Sequence, residues 1–196
     1  MNINKITQDK FKTTEWLGGK TTELFIWPEN GSYQKRQFDF RLSTATIEIE
    51  ESDFTKLPGI HRILMPLQGN IALCFNGEET VNLKPYDFAD FEGDWNTTSK
   101  GVGRDFNLML AKDWTGSLKH LPLSASNITE ADAFRMKIIY SAEGEALISV
   151  ENKEFILQQG EILYLESEEK DGEISIKLSS KTEADLVVCN VFRKIK

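Results

Sequence analysis

A chain of 196 residues with 40% apolar and 28% charged side chains has ordinary globular usage, which excludes a disordered or fibrous polymer. Its 31 acidic and 23 basic residues leave a formal charge of −8. That balance repels phosphate backbones and anionic lipid headgroups, so neither a nucleic acid nor a membrane is an expected partner. No apolar run is long enough to span a bilayer and Met1–Lys10 lacks the apolar region of a secretory signal, so a cytoplasmic location is expected.

In chain order, turn signals at Pro28-Glu-Asn-Gly31, Pro58-Gly59, Asn76-Gly77, Glu143-Gly144 and Asp171-Gly172 separate short runs rich in Phe, Ile, Val, Leu and Thr. This is the spacing of an all-β sandwich or barrel. Phe38–Ile49, Arg62–Gly69, Ile71–Phe75, Val81–Phe88 and Asp105–Leu110 read as strands. The polar stretch from Asp113 to Leu118 reads as a connection between two halves. Ser126–Ala133 carries a capping residue followed by good helix formers, so a single helical turn competes there with extended chain. Glu166–Gly172 is a charge run suited to a solvated hairpin tip.

Internal similarity organises the whole. Arg62–Gly69, Ile71–Phe75, Asn76-Gly77 and Val81–Phe88 are echoed by Met136–Tyr140, Gly144, Ala146–Val150, Phe155–Leu157 and Gly160–Ile162. Gly144 follows Gly69 by 75 positions, Leu157 follows Leu83 by 74, and Glu161 follows Asp87 by 74. The unit of strand, glycine turn, strand, polar turn and strand suits a jelly-roll barrel, and two of them make an all-β bicupin; a single β-sandwich is the plainer alternative. The expected division is residues 1–115 and 116–196, with any pocket in the first.

Alternation then picks out polar groups where a core wants apolar ones. In Phe38–Ile49 one face carries Phe38, Phe40 and Leu42, and the other carries Arg41, Ser43, Ala45 and Ile47. In Asp105–Leu110, Asp105, Asn107 and Met109 share a face. Arg41, Ser43, Arg62, Asp105 and Asn107 therefore form a candidate small-molecule site, with two planar guanidinium forks matched to a carboxylate. The competing reading pairs Arg41 and Arg62 with Asp105, Asp94 or Glu23 and leaves no ligand. Glu23 and Asp105 are also the candidate general bases of an isomerase or lyase.

Other chemistry is thinly represented. Two histidines, His61 and His120, and two cysteines inside apolar runs, Cys74 and Cys189, do not supply a His-rich metal centre or a disulfide framework, so neither metal nor cofactor is expected. Gly18-Gly19-Lys20-Thr21 lacks the spacing of a phosphate loop, and no nucleophile elbow is present.

Trp16, Gly18–Leu24, Phe38–Ala45, Phe54–Arg62, Phe91–Asp94 and Asp105–Met109 resemble, in order, the motifs of the HutD/Ves family. Thr21-Thr22-Glu23 departs from the Thr-Arg-Glu of many relatives. The resemblance implies a bicupin fold and a cytoplasmic bacterial protein, linked to histidine utilisation in the HutD branch or stress response in the Ves branch. It places Trp16, Thr22, Glu23, Arg41, Ser43, Arg62, Phe91, Asp94, Asp105 and Asn107 at the family's motif positions. The ligand it suggests is a histidine-degradation acid such as formylglutamate or urocanate, bound in a regulatory role, and a homodimer is a possible assembly.

Overall fold

The computed structural model describes residues 1–125, 127–167 and 173–194. In its first part run β1 (Asn2–Ile6), a 3-10 turn at Gln8–Lys10, β2 (Lys12–Trp16), β3 (Gly19–Trp27), β4 (Phe40–Ile47), β5 (Glu51–Asp53), β6 (Ile60–Gln68), β7 (Ile71–Phe75), β8 (Glu79–Leu83), β9 (Ala89–Glu92), β10 (Thr97–Lys100) and β11 (Gly103–Ala111). There follow β12 (Trp114–Ser124), β13 (Asn127–Asp132), β14 (Met136–Glu143), β15 (Ala146–Val150), β16 (Lys153–Leu157), β17 (Ile162–Glu166), β18 (Ile174–Ser179) and β19 (Glu183–Arg193). The all-β class read from the turn spacing is what the chain adopts, and among the described residues no helix is long and apolar enough to cross a membrane.

The chain divides into two compact units. One comprises Phe11–Thr115 with Lys194. It holds a six-stranded sheet in the order β2-β3-β4-β11-β6-β9 and a four-stranded sheet in the order β5-β10-β7-β8. Its core gathers Ile47, Leu64, Ile71, Leu73, Phe75 and Phe91, with Phe54 packed against them. The other face of the six-stranded sheet is also buried, and Phe40 lies among the rings of Phe25, Trp27 and Trp114. A strand covered on both sides was the expectation for Phe38–Ile49, and the double burial is its cause.

The second unit comprises Met1–Lys10 and Gly116–Arg193. Its sheets run β1-β17-β14-β19-β12 and β13-β18-β15-β16. The first ten residues thus sit with the later half of the chain, because β1 pairs with β17 from Asn2 opposite Glu166 to Ile6 opposite Ile162.

The turn signals fall between strands, apart from Asp171-Gly172, which together with most of the Glu166–Gly172 charge run lies outside the described residues. At the two equivalent glycine turns, Gly69 and Gly144 take φ of 78° and 73°. A Cβ would meet the Val102 carbonyl oxygen at 2.2 Å in the first and that of Glu183 at 2.5 Å in the second, so both turns demand glycine on two counts.

One open alternative is decided and one expectation is corrected. Asn127–Asp132 is a strand instead of a helical turn, since pairing with β18 and packing of Ile128 on the apolar cluster outweigh intrinsic helix preference. The presumed connection from Asp113 to Leu118 enters β12, where Trp114, Leu118, Leu121 and Leu123 are buried beneath an otherwise polar sequence. Both cysteines are free thiols, Cys189 buried and Cys74 half-buried.

Candidate functional site

Strand register aligns the polar side chains in rows on one face of the six-stranded sheet. Arg41, Met109, Arg62 and Phe91 lie opposite one another on β4, β11, β6 and β9. The next row carries Glu23, Ser43, Asn107 and Leu64, and the third Thr21, Ala45, Asp105 and Pro66. Successive rows are about 7 Å apart, the repeat of two residues along a strand. This face borders a cavity of about 490 Å³, whose remaining walls include Trp16 on β2, Tyr33 in the loop after β3, and Phe54 just beyond β5.

The two arginines differ in their surroundings. Arg41 donates from Nε to Glu23 Oε2 at 2.8 Å and from Nη1 to Ser43 Oγ at 3.0 Å, and it stacks under the Tyr33 ring at 4.3 Å. Its charge is therefore spoken for within the fold. Arg62 is only 4% exposed and its Nε lacks any hydrogen-bond partner. Its guanidinium rests between Phe54 at 4.5 Å and Phe91 at 5.2 Å, and no carboxylate among the described residues forms an ion pair with it. Burial pulls its pKa down to about 10, partly opposed by Tyr33 and Asp105.

Asp105 is buried as well. Its Oδ1 accepts the Ala45 backbone N–H at 3.1 Å. Burial pushes its carboxyl pKa up to about 7, and the Arg62 charge and the Ala45 N–H only partly restore it. Beside it, Asn107 is 4% exposed and its Oδ1 has no partner. Buried polar atoms are ordinarily satisfied, and among the described residues that line the cavity these are the two buried side-chain atoms without a hydrogen-bond partner.

A family model described as HutD matches residues 8–187. The chain belongs to the HutD family. Among solved structures it resembles the conserved protein of unknown function PA5104 from Pseudomonas aeruginosa PAO1, with a TM-score of 0.86 at 21% identity over 97% of this chain and 99% of that one. It also resembles HutD from Pseudomonas fluorescens SBW25, described for a formate condition, with a TM-score of 0.77 at 20% identity over 99% and 100% of the two chains. A cupin 2 conserved barrel protein from Leptotrichia buccalis shares the cupin-like architecture with a TM-score of 0.58 at 11% identity, over 96% of each chain. No curated protein matches the chain.

In this HutD-family chain, seven of the ten residues singled out from sequence meet at the cavity: Trp16, Glu23, Arg41, Ser43, Arg62, Asp105 and Asn107. Three do not line it. The Thr22 hydroxyl lies 2.9 Å from that of Thr13, on the strand face opposite Thr21 and Glu23. Phe91 is buried beneath Arg62 and acts as its support. Asp94 is exposed in the turn after β9. Tyr33 and Phe54 escaped the sequence reading because they stand outside the regular strands, where alternation gives no facing rule. Phe54 opens the Phe54–Arg62 motif without being singled out in it, and Tyr33 lies outside every motif quoted.

Cupin-like folds invite the question of a metal. Two guanidinium groups and no histidine in the cavity are a poor donor set for a cation. His61 instead meets Glu92 at 3.0 Å and His120 meets Asp185 at 2.6 Å. The residues do not fit a metal at this position.

Proposed function

We propose that this protein binds a small carboxylate metabolite in the cavity of the unit formed by residues 11–115, with Arg62 as the anchor of the anion. The observation that carries the reading is a buried guanidinium with no carboxylate of its own. A charge taken out of water stays costly until it is paired and hydrogen-bonded, and a carboxylate offers the matching planar fork. Asn107, Ser43 and Asp105 orient the ligand, while Arg41 with Glu23 and Tyr33 forms a rigid wall. A histidine-degradation acid such as formylglutamate or urocanate is the proposed ligand, bound in a regulatory role in the cytoplasm.

The proposal includes a duplicated, bicupin architecture. It is supported by the strand orders: β9-β6-β11-β4 with β8-β7-β10-β5 in one unit matches β17-β14-β19-β12 with β16-β15-β18-β13 in the other, each label displaced by eight.

Titration calorimetry with N-formyl-L-glutamate and urocanate tests the ligand reading. Saturable binding is expected, and Arg62→Gln should weaken it about a hundredfold, since a buried charge-assisted pair is worth about 2–5 kcal/mol. Equal affinity in wild type and Arg62→Gln refutes it. A second reading, an isomerase or lyase with Asp105 as base, is favoured by a buried carboxyl whose pKa of about 7 suits proton transfer at neutral pH. Glu23 suits that role less well, being engaged with Arg41. New signals in the NMR spectrum of either acid during incubation would select the enzyme.

A further inference from the structure

Asp105 and Arg62 face the same cavity from β11 and β6, each 4% exposed, without forming an ion pair. The other charged or titratable groups around that space are Arg41 on β4, Glu23 on β3, Tyr33 in the loop above them, and Lys12 and Asp53 toward the solvent on β2 and β5. Glu23 is engaged by Arg41 and Asp53 by the Thr98 hydroxyl. Among the described residues Asp105 is thus the buried carboxyl lining the cavity that answers the charge of Arg62 without an ion pair, and its Oδ1 accepts the Ala45 N–H.

A carboxylate that docks on Arg62 brings a second negative charge into the enclosure. Two anions competing for one guanidinium in a weakly screened site cannot both stay ionised cheaply. We propose that anion binding at Arg62 is coupled to uptake of one proton from solvent by Asp105, which makes Asp105 the residue that sets the pH range and charge selectivity of the site. The inference rests on the carboxylate-site reading. The balance is simple: the ligand enters as its anion, Asp105 changes from carboxylate to carboxylic acid, and the buffer supplies the proton. Once protonated, Asp105 also gains an O–H donor, which a carboxylate ligand can accept and a cationic group cannot. The raised pKa of Asp105, about 7 in the empty cavity, sets the range over which the coupling shows.

The experiment is calorimetric titration with N-formyl-L-glutamate, whose carboxyl groups stay ionised across the range used. Affinity should fall about tenfold per pH unit between about pH 7.5 and 9, because each unit costs one more factor of ten to protonate Asp105. Paired runs at about pH 8 in two buffers of different ionisation enthalpy should report uptake approaching one proton. Asp105→Asn, a neutral isostere, should give a flat profile and no proton uptake. A flat wild-type profile with no proton uptake overturns the coupling and leaves the carboxylate site standing. A slope that persists in Asp105→Asn overturns the assignment to Asp105. Absence of binding at every pH overturns the carboxylate site and the coupling with it. The two-buffer measurement on wild type decides whether binding takes up a proton even where Asp105→Asn does not fold.

Discussion

Replacing Arg62 by methionine should stabilise the ligand-free protein while abolishing anion binding. A guanidinium pKa of about 10 in place of the ordinary 12.5 means that keeping Arg62 charged costs the folded state on the order of 3 kcal/mol. Stacking on Phe54 and Phe91 returns about 1–2 kcal/mol of that. Methionine keeps an unbranched stem of similar length against the same two rings, and its thioether tolerates an aromatic edge. The net gain is then about 1–2 kcal/mol, which for a chain of this size raises Tm by roughly 2–8 °C. Scanning calorimetry of the ligand-free variant reads the shift, and titration with N-formyl-L-glutamate reads the lost binding. A sharp fall in Tm would show that Arg62 holds the fold together and would remove the reason for a ligand. The opposite outcome is the trade of stability for function expected of a binding site.

Arg41 should behave in the reverse manner. Arg41→Ala strands Glu23 in a largely buried position and should cost about 1–3 kcal/mol in urea unfolding, with Glu23→Ala added to it recovering much of the loss. A double variant as unstable as the single one would refute the pairing. Asp105 should make stability depend on pH. Its folded-state pKa of about 7 lies above the ordinary 3.8, so the native state binds more protons than the unfolded one between those values. The stability Asp105 contributes is present below about pH 4 and lost as pH rises through about 7, by at most about 4 kcal/mol. The stability advantage of Asp105→Asn over wild type in urea should therefore be larger at about pH 8 than at about pH 5, and a constant difference would refute the burial argument.

Alternation made much of the site legible, because it fixes which side chains share a face without knowing what covers that face. Arg41, Ser43, Asp105, Asn107 and Met109 follow from counting in twos along two strands, and register then brings β6 and Arg62 alongside. What alternation does not carry is the identity of a partner across a gap. Glu23 was one of three carboxylates open to either arginine, and the choice of Arg41 depends on a shift of register between Glu23 and Phe25 that no residue pattern announces. Asn127–Asp132 illustrates the other limit. Its helix-forming residues are outvoted by β18, whose rungs run from Asn127 opposite Ser179, 52 positions on, to Asp132 opposite Ile174, 42 positions on. Pairing partners at such separation leave little trace in local composition.

In the proposed repeat Lys137 answers to Arg62, and the two units surround that buried cation differently. Lys137, 75 positions after Arg62, is completely buried. It has Glu130 Oε2 at 3.8 Å and the Phe134 ring at 5.0 Å, so that unit answers its buried cation with a carboxylate of its own. Arg62 has aromatic rings on both sides but no such ion pair, although Asp105, its pKa raised by burial to about 7, faces the same cavity. A buried cation is thus paired within the chain at Lys137 and held between two rings at Arg62. On the proposed carboxylate-site reading, the counter-charge at Arg62 arrives with the ligand.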